Sequence, residues 1–155
     1  MDYYPGYASS LAGDCPERLA VLLVDDHPAV LEAVMEIIET DDTLTVVATA
    51  TSVSEAIRKA RTWRPDVAVV DVNMPDGGGW AAARGLLDVC PRVRLVAYSA
   101  FDAALVTRTL AAPGISAFVP KGSDINLLLD AIRGGDVMPV ASRPMPPLHG
   151  TAAVA

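Results

Sequence analysis

Hydrophobic positions along the chain fall into two alternating kinds of segment. Short, mostly apolar runs, the pattern of strands buried on both faces, occur at Leu19–Val24, Leu44–Ala48, Val67–Val70, Arg94–Tyr98 and Ala117–Val119. Between them, apolar residues recur at three- and four-residue spacing. Val30, Leu31, Val34, Ile37 and Ile38 mark one face of a helix that Pro28 can open at its first turn. Ser52 and Glu55 form a capping-box pattern ahead of Ala56, Ile57 and Ala60, and Pro65 stops that helix. Met74–Gly79 reads as a loop, with Gly77, Gly78 and Gly79 as a flexible turn, and Trp80–Val89 as a third helix ended before Pro91. A fourth helix is predicted over Asp102–Ala111, stopped by Pro113 and Gly114. A fifth runs from a Ser123 cap to Arg133, with Gly134 able to end it. Strands alternating with helices imply a parallel sheet covered on both faces, and right-handed connections make it doubly wound α/β.

The two ends lack this periodicity. Residues 1–17, rich in Tyr, Gly, Ser and Pro, read as a mobile leader; residues 18–134 form one folded domain; residues 135–155 read as a disordered Pro-rich tail or linker. The 155 residues are 52% hydrophobic but only 5% aromatic, so the core is built from Ala, Val, Leu and Ile. Twelve basic residues against 19 acidic ones give a net charge of −7, which argues against nonspecific binding of the whole surface to nucleic acid or anionic membrane. Cys15 and Cys90 are too few for a disulfide scaffold and lack metal-ligand spacing, which suits free thiols in a reducing cytoplasm. No apolar run approaches the roughly 20 residues a spanning helix needs, and no basic-then-apolar start marks a secretory signal.

In a doubly wound sheet, ligands bind beyond the C-terminal strand ends, where the strand order reverses. The first run ends at Asp25 and Asp26, the third at Asp71 and the fourth at Ser99, while Lys121 follows the fifth. Three carboxylates crowded on one edge repel, and a divalent cation relieves that. Hard oxygen ligands with room for water suit magnesium. The remaining groups match the needs of phosphoryl transfer: a carboxylate able to become an acyl phosphate, and a hydroxyl and an ammonium to neutralise the transferring oxygens.

Residues 19–133 resemble the receiver domain of two-component response regulators. The matching pieces are Leu22-Leu23-Val24-Asp25-Asp26-His27-Pro28, Asp71-Val72-Asn73-Met74-Pro75, Tyr98-Ser99-Ala100 and Phe118-Val119-Pro120-Lys121. The Asp-Asp-His-Pro start and the Asn-Met-Pro loop are most similar to the NarL/LuxR-like receivers that usually carry a C-terminal helix-turn-helix. The resemblance implies a flavodoxin-like fold with strand order 2-1-3-4-5. It implies Asp71 as phosphoacceptor, with Asp25, Asp26, Asp71 and the backbone carbonyl of Asn73 holding Mg2+. Ser99 and Lys121 are implied to meet the phosphoryl group, and Ser99 and Phe118 to act as the switch. It further implies a sensor histidine kinase as donor and a downstream protein on the face of the fourth helix, fifth strand and fifth helix. A phosphorylation-dependent homodimer is also implied, but no turnover enzyme. Two positions depart from the common pattern: Gly122 follows Lys121 where many members have Pro, and the switch aromatic is Phe, without a hydroxyl.

Several residues have plainer explanations. Asp25 and Asp26 could cap the next helix, Ser99 could be a turn residue, and His27 fits a polar helix start better than a metal ligand. Gly77-Gly78-Gly79 lacks the Gly-Lys-Ser/Thr that a P-loop requires. Trp63 and Trp80 read as packing or partly exposed residues. The competing functions are the receiver of a DNA-binding regulator whose helix-turn-helix is absent from this sequence, and a phosphorylation-independent interaction module. No direct nucleic-acid or membrane binding is expected.

Overall fold

All five apolar runs form strands, and three of them are longer than the hydrophobic pattern alone suggests. The computed structural model describes residues 17–75, 78–100, 104, 112 and 114–135. The expected helix over Asp102–Ala111, apart from Ala104, lies outside the described residues, as do nearly all of the leader and tail. The described elements are β1 (Leu19–Val24), α1 (Pro28–Ile38), β2 (Leu44–Ala50), α2 (Val53–Trp63), β3 (Val67–Val70), α3 (Gly78–Val89), β4 (Arg94–Ser99), β5 (Ile115–Pro120) and α4 (Ile125–Arg133). The strands pair in parallel in the order β2-β1-β3-β4-β5, a flavodoxin-like doubly wound sheet. Pairing explains the extra length. Ala50 is drawn in opposite Val24, Ile115 opposite Leu95, and Ser99 opposite Pro120. Pro120 is tolerated because β5 is an edge strand.

Alternation along each strand divides the core into two layers. Val21, Leu23, Val69, Val96 and Val119 face α1 and α4, which contribute Leu31, Val34, Ile38, Leu128 and Ile132. Leu22, Val24, Ala68, Val70 and Leu95 face the other way, against Ala56 and Ala60 of α2 and Ala82, Ala83 and Leu86 of α3. The small residues let the backbones of α2 and α3 lie close to the sheet, which suits a chain with few aromatics.

The helix ends refine the sequence signals. Ser52 caps α2, accepting from the Glu55 N–H, but the Glu55 carboxylate reaches back to the Thr51 N–H rather than to Ser52. Ser123 does not cap the last helix. Its hydroxyl donates to the Pro120 carbonyl at 2.6 Å and closes the turn after β5, so the cap passes to Asp124, which accepts from the Asn126 N–H at 2.9 Å. Trp63 is partly exposed, at 36%.

The glycine run departs most from expectation. Gly78 and Gly79 are the first residues of α3, not a loose turn. A Cβ on Gly79 would lie 2.3 Å from both the Asp71 carbonyl oxygen and the Val72 Cα. The absence of a side chain therefore lets α3 start directly against the chain leaving β3. A Cβ on Gly78 would meet Met74 and Val53 no closer than 3.5 Å, an ordinary contact. Gly79→Ala should accordingly destabilise by about 2–3 kcal/mol, as overpacking does. Gly78→Ala should be neutral or slightly stabilising, since Ala favours helix. Urea denaturation of the two variants checks this, and equal midpoints would contradict it.

Candidate functional site

Counting on by two from the buried residues of one sheet face places the chemistry. Leu23 leads to Asp25, Val69 to Asp71, Val119 to Lys121, and Val96 to Tyr98, so all four fall on the side of α1 and α4. Because β1 and β3 are neighbours, Asp25 and Asp71 emerge side by side at the point where the chain's winding reverses. Main-chain bonds fix both: the Asp25 N–H donates to Ala50 and the Asp71 N–H to Val24, at 3.1 and 2.8 Å.

The side chains converge on Asp71, which is 6% exposed. Its Oδ1 accepts from the Ser99 hydroxyl at 2.7 Å and from the Asn73 N–H at 2.8 Å. Its Oδ2 accepts from Lys121 Nζ at 2.7 Å, and the same ammonium reaches Asp25 Oδ2 at 2.6 Å. Burial pushes the Asp71 carboxyl up, but the hydrogen bonds from Lys121, Ser99 and Asn73 outweigh it, and the group lies below its ordinary value. Burial likewise pushes Lys121 down, and its bonds to Asp25 and Asp71 more than reverse this, leaving it above its ordinary value. The site thus holds an ionised carboxylate against a full ammonium.

Asp26 sits at the rim, not on Lys121. His27 stands at the N-cap position of α1 without capping it. Its Nδ1 lies instead 3.2 Å from Asp25 Oδ1 and 3.1 Å from Asp26 Oδ1. The plain capping explanation for Asp25 and Asp26 therefore fails: neither side chain caps α1, although Asp25 Oδ1 accepts from the His27 N–H at 2.9 Å. Ligand atoms of Asp25, Asp26 and His27 lie within 4.8 Å of one another. Two carboxylates share one ammonium here and a third, Asp26, stands beside them at the rim; their oxygens are hard donors, so the residues present fit a small hard dication.

Phe118 is 3% exposed and packs with Val72, Ala97 and Trp80 on the opposite sheet face. Its ring touches the neighbour of Asp71 and the residue two before Ser99. Tyr98 belongs to the Tyr98-Ser99-Ala100 motif, but nothing in that motif assigns it a task. Its ring lies with its centroid 5.9 Å from Lys121 Nζ. The signal available was parity, which puts it on the face of Asp71 and Lys121.

Residues 21–133 match the family model of the response regulator receiver domain. Response regulator GacA of Pseudomonas viridiflava is 35% identical over 115 residues, 74% of this chain and 54% of that protein. The DNA-binding transcriptional activator DevR/DosR of Mycobacterium tuberculosis is 40% identical over 103 residues, 65% of this chain and 46% of that protein. The chain thus spans about half the length of the curated relatives it matches. A crystal structure of a LuxR-family two-component response regulator from Aurantimonas sp. SI85-9A1 superposes with a TM-score of 0.69 at 28% identity, covering 81% of this chain and 92% of that one. The family match runs from Val21, within β1, to the end of α4 and takes in every strand-end residue described above, and the chain belongs to the response regulator receiver domains of two-component systems.

Proposed function

We propose that Asp71 accepts a phosphoryl group from a sensor histidine kinase and that this charge change switches the surface by which the domain signals. The setting of the Asp71 carboxylate carries the proposal: it is buried, ionised, and held by Ser99, Asn73 and Lys121 within 2.8 Å. Aspartyl phosphorylation is general for the family. In the transfer, an Asp71 oxygen forms a bond to phosphorus as the donor's phosphorus–nitrogen bond breaks and its imidazole leaves. Lys121 and Ser99 already donate to the Asp71 oxygens, so a short shift of each would carry its donor to the new phosphoryl oxygens. Asp25, Asp26, Asp71 and the Asn73 carbonyl are the groups that would hold Mg2+. When bound, the ion neutralises charge on the carboxylates and on the transferring oxygens. The domain acts as an acceptor that hydrolysis resets, not as a turnover enzyme.

Output would run through Ser99 and Phe118. Ser99 bonds Asp71 directly, and Ala97, two residues before it, packs on Phe118. A shift of the hydroxyl toward a phosphoryl oxygen would be felt in that packing. The surface it reports to would include β5 and α4, where a downstream protein or a second phosphorylated copy would dock. Leu127 of α4 is 41% exposed there. No described helix is long and apolar enough to cross a membrane; exchange with a sensor kinase would put the domain in the cytoplasm. A second reading, the receiver portion of a DNA-binding regulator, is favoured by one observation: the matched stretch covers only 54% of GacA and 46% of DevR/DosR, and DevR/DosR is a DNA-binding activator.

Incubation with acetyl phosphate and Mg2+ should add one phosphoryl group by intact mass, and Asp71→Asn should add none. Lys121→Ala should slow the reaction roughly 100-fold, the scale of losing a preorganised charge-stabilising donor. Unmodified wild-type protein in the presence of a competent kinase would refute the proposal.

Magnesium without any phosphodonor should raise the melting temperature. At tenfold above its dissociation constant the ion should stabilise by about 1.4 kcal/mol. Asp26→Asn should abolish most of that gain while leaving the fold intact, because Asp26 is a rim residue that Lys121 does not bind. A gain of the same size in Asp26→Asn, followed by calorimetry, would remove Asp26 from the ligand set.

A further inference from the structure

We propose that Tyr98 is a positioning residue for Lys121, its ring face forming the floor across which the ammonium reaches Asp71. Lys121 follows β5 at one edge of the sheet, whereas Asp71 follows β3 and Asp25 follows β1. Neighbouring strands lie about 4.8 Å apart. The lysine stem must therefore cross β4 to reach Asp71 and continue toward Asp25. The residue of β4 on that face is Tyr98, paired across the ladder with Val119, two residues before the lysine. Its ring centroid is 5.9 Å from Nζ, within reach of a cation–π attraction. Tyr98 also lines, with Asp25, Asp71, Val30 and Val34, the cleft that opens beside the site.

The loop does not hold the lysine by itself. Gly122 follows at φ 83°, exposed, with nothing within 4 Å of where a Cβ would be. The main chain is tied on the other side only, by the Lys121 N–H to Ser99 and by Ser123 to Pro120. The side chain is a flexible four-carbon stem with a point charge at its tip. It is drawn two ways, at 2.6 Å to Asp25 and 2.7 Å to Asp71. When Asp71 becomes an acyl phosphate, the ammonium must leave a carboxylate oxygen for a phosphoryl oxygen without being captured by Asp25. A ring face on β4, between β3 and β5, attracts the cation whichever partner it holds and keeps it on the Asp71 side. A mere core filler would need only bulk on that face, which a leucine supplies.

The test compares Tyr98→Phe, which keeps the ring, with Tyr98→Leu, which keeps only bulk; Tyr98→Met replaces the latter if it does not fold. In the first arm, urea unfolding is measured for the Phe and Leu variants with Lys121 intact and with Lys121→Met. Phe should exceed Leu in the first background and equal it in the second. The Lys121 Hε resonances, shifted upfield by the ring, should keep that shift in Tyr98→Phe and lose it in Tyr98→Leu. In the second arm, which alone rests on Asp71 as phosphoacceptor, acetyl phosphate should react about two- to fivefold more slowly with Tyr98→Leu and at the wild-type rate with Tyr98→Phe. Phe and Leu variants that behave alike in unfolding and in lysine shifts would overturn the assignment. Wild-type protein that takes no phosphoryl group would defeat the acceptor reading alone, since the first arm would still decide on Tyr98.

Discussion

Lys121 sets one ammonium between two buried carboxylates, 2.6 Å from Asp25 and 2.7 Å from Asp71, and much of the molecule is arranged so that this can happen. Removing either carboxylate from water without a partner would cost several kcal/mol, more than one group can be allowed in a fold of marginal stability. The pairing has to be supplied from a distant part of the sequence, because Lys121 is 96 residues from Asp25 and 50 from Asp71. Strand order solves this. With β1 and β3 adjacent and only β4 between β3 and β5, one lysine stem is long enough to reach both acids. An order that moved β5 further from β3 would put Asp71 and Asp25 beyond the reach of that stem. Among the described residues one ammonium faces the carboxylates of Asp25, Asp26 and Asp71, so the site is short of positive charge and would favour a hard dication.

The strand ends were legible from the sequence because a parallel sheet writes itself as apolar runs, and a charged residue that stops such a run must stand at its edge. Asp25, Asp71, Ser99 and Lys121 all followed from that; that the acids and the lysine share one face came with the sheet itself. Other features rest on contacts between segments far apart in sequence. Gly79 looked like a turn residue because its glycine neighbours suggested looseness, yet it is required by the approach of α3 to the Asp71 carbonyl, a contact local sequence does not reveal. Ser123 is as good a cap as Asp124 by residue type, and only the competing pull of the Pro120 carbonyl decides between them. The extra residues of β2 and β5 are strand because a neighbouring strand has unpaired donors and acceptors opposite them, not because they are apolar. His27 gave a weak signal for the same kind of reason: its turn toward Asp25 and Asp26 depends on where the β1–α1 connection aims it.

The end of β4 ties these features together. Ala97, Tyr98 and Ser99 are consecutive, and alternation sends them to different tasks. Ala97 packs on Phe118 on one face of the sheet, Tyr98 lies beneath Lys121 on the other, and Ser99 closes the strand with its hydroxyl on Asp71. Within three residues, one short strand therefore touches the buried aromatic, the ammonium and the acidic acceptor. Close packing on both faces means the strand end cannot yield on one side alone. If Ser99 moves to follow a new charge on Asp71, the backbone that carries it also carries Ala97 and Tyr98, so Phe118 and Lys121 must adjust with it. Coupling between Asp71 and the surface would then need no long pathway: three neighbouring side chains share one stretch of main chain, held to β3 at Ala97 and to β5 at all three residues.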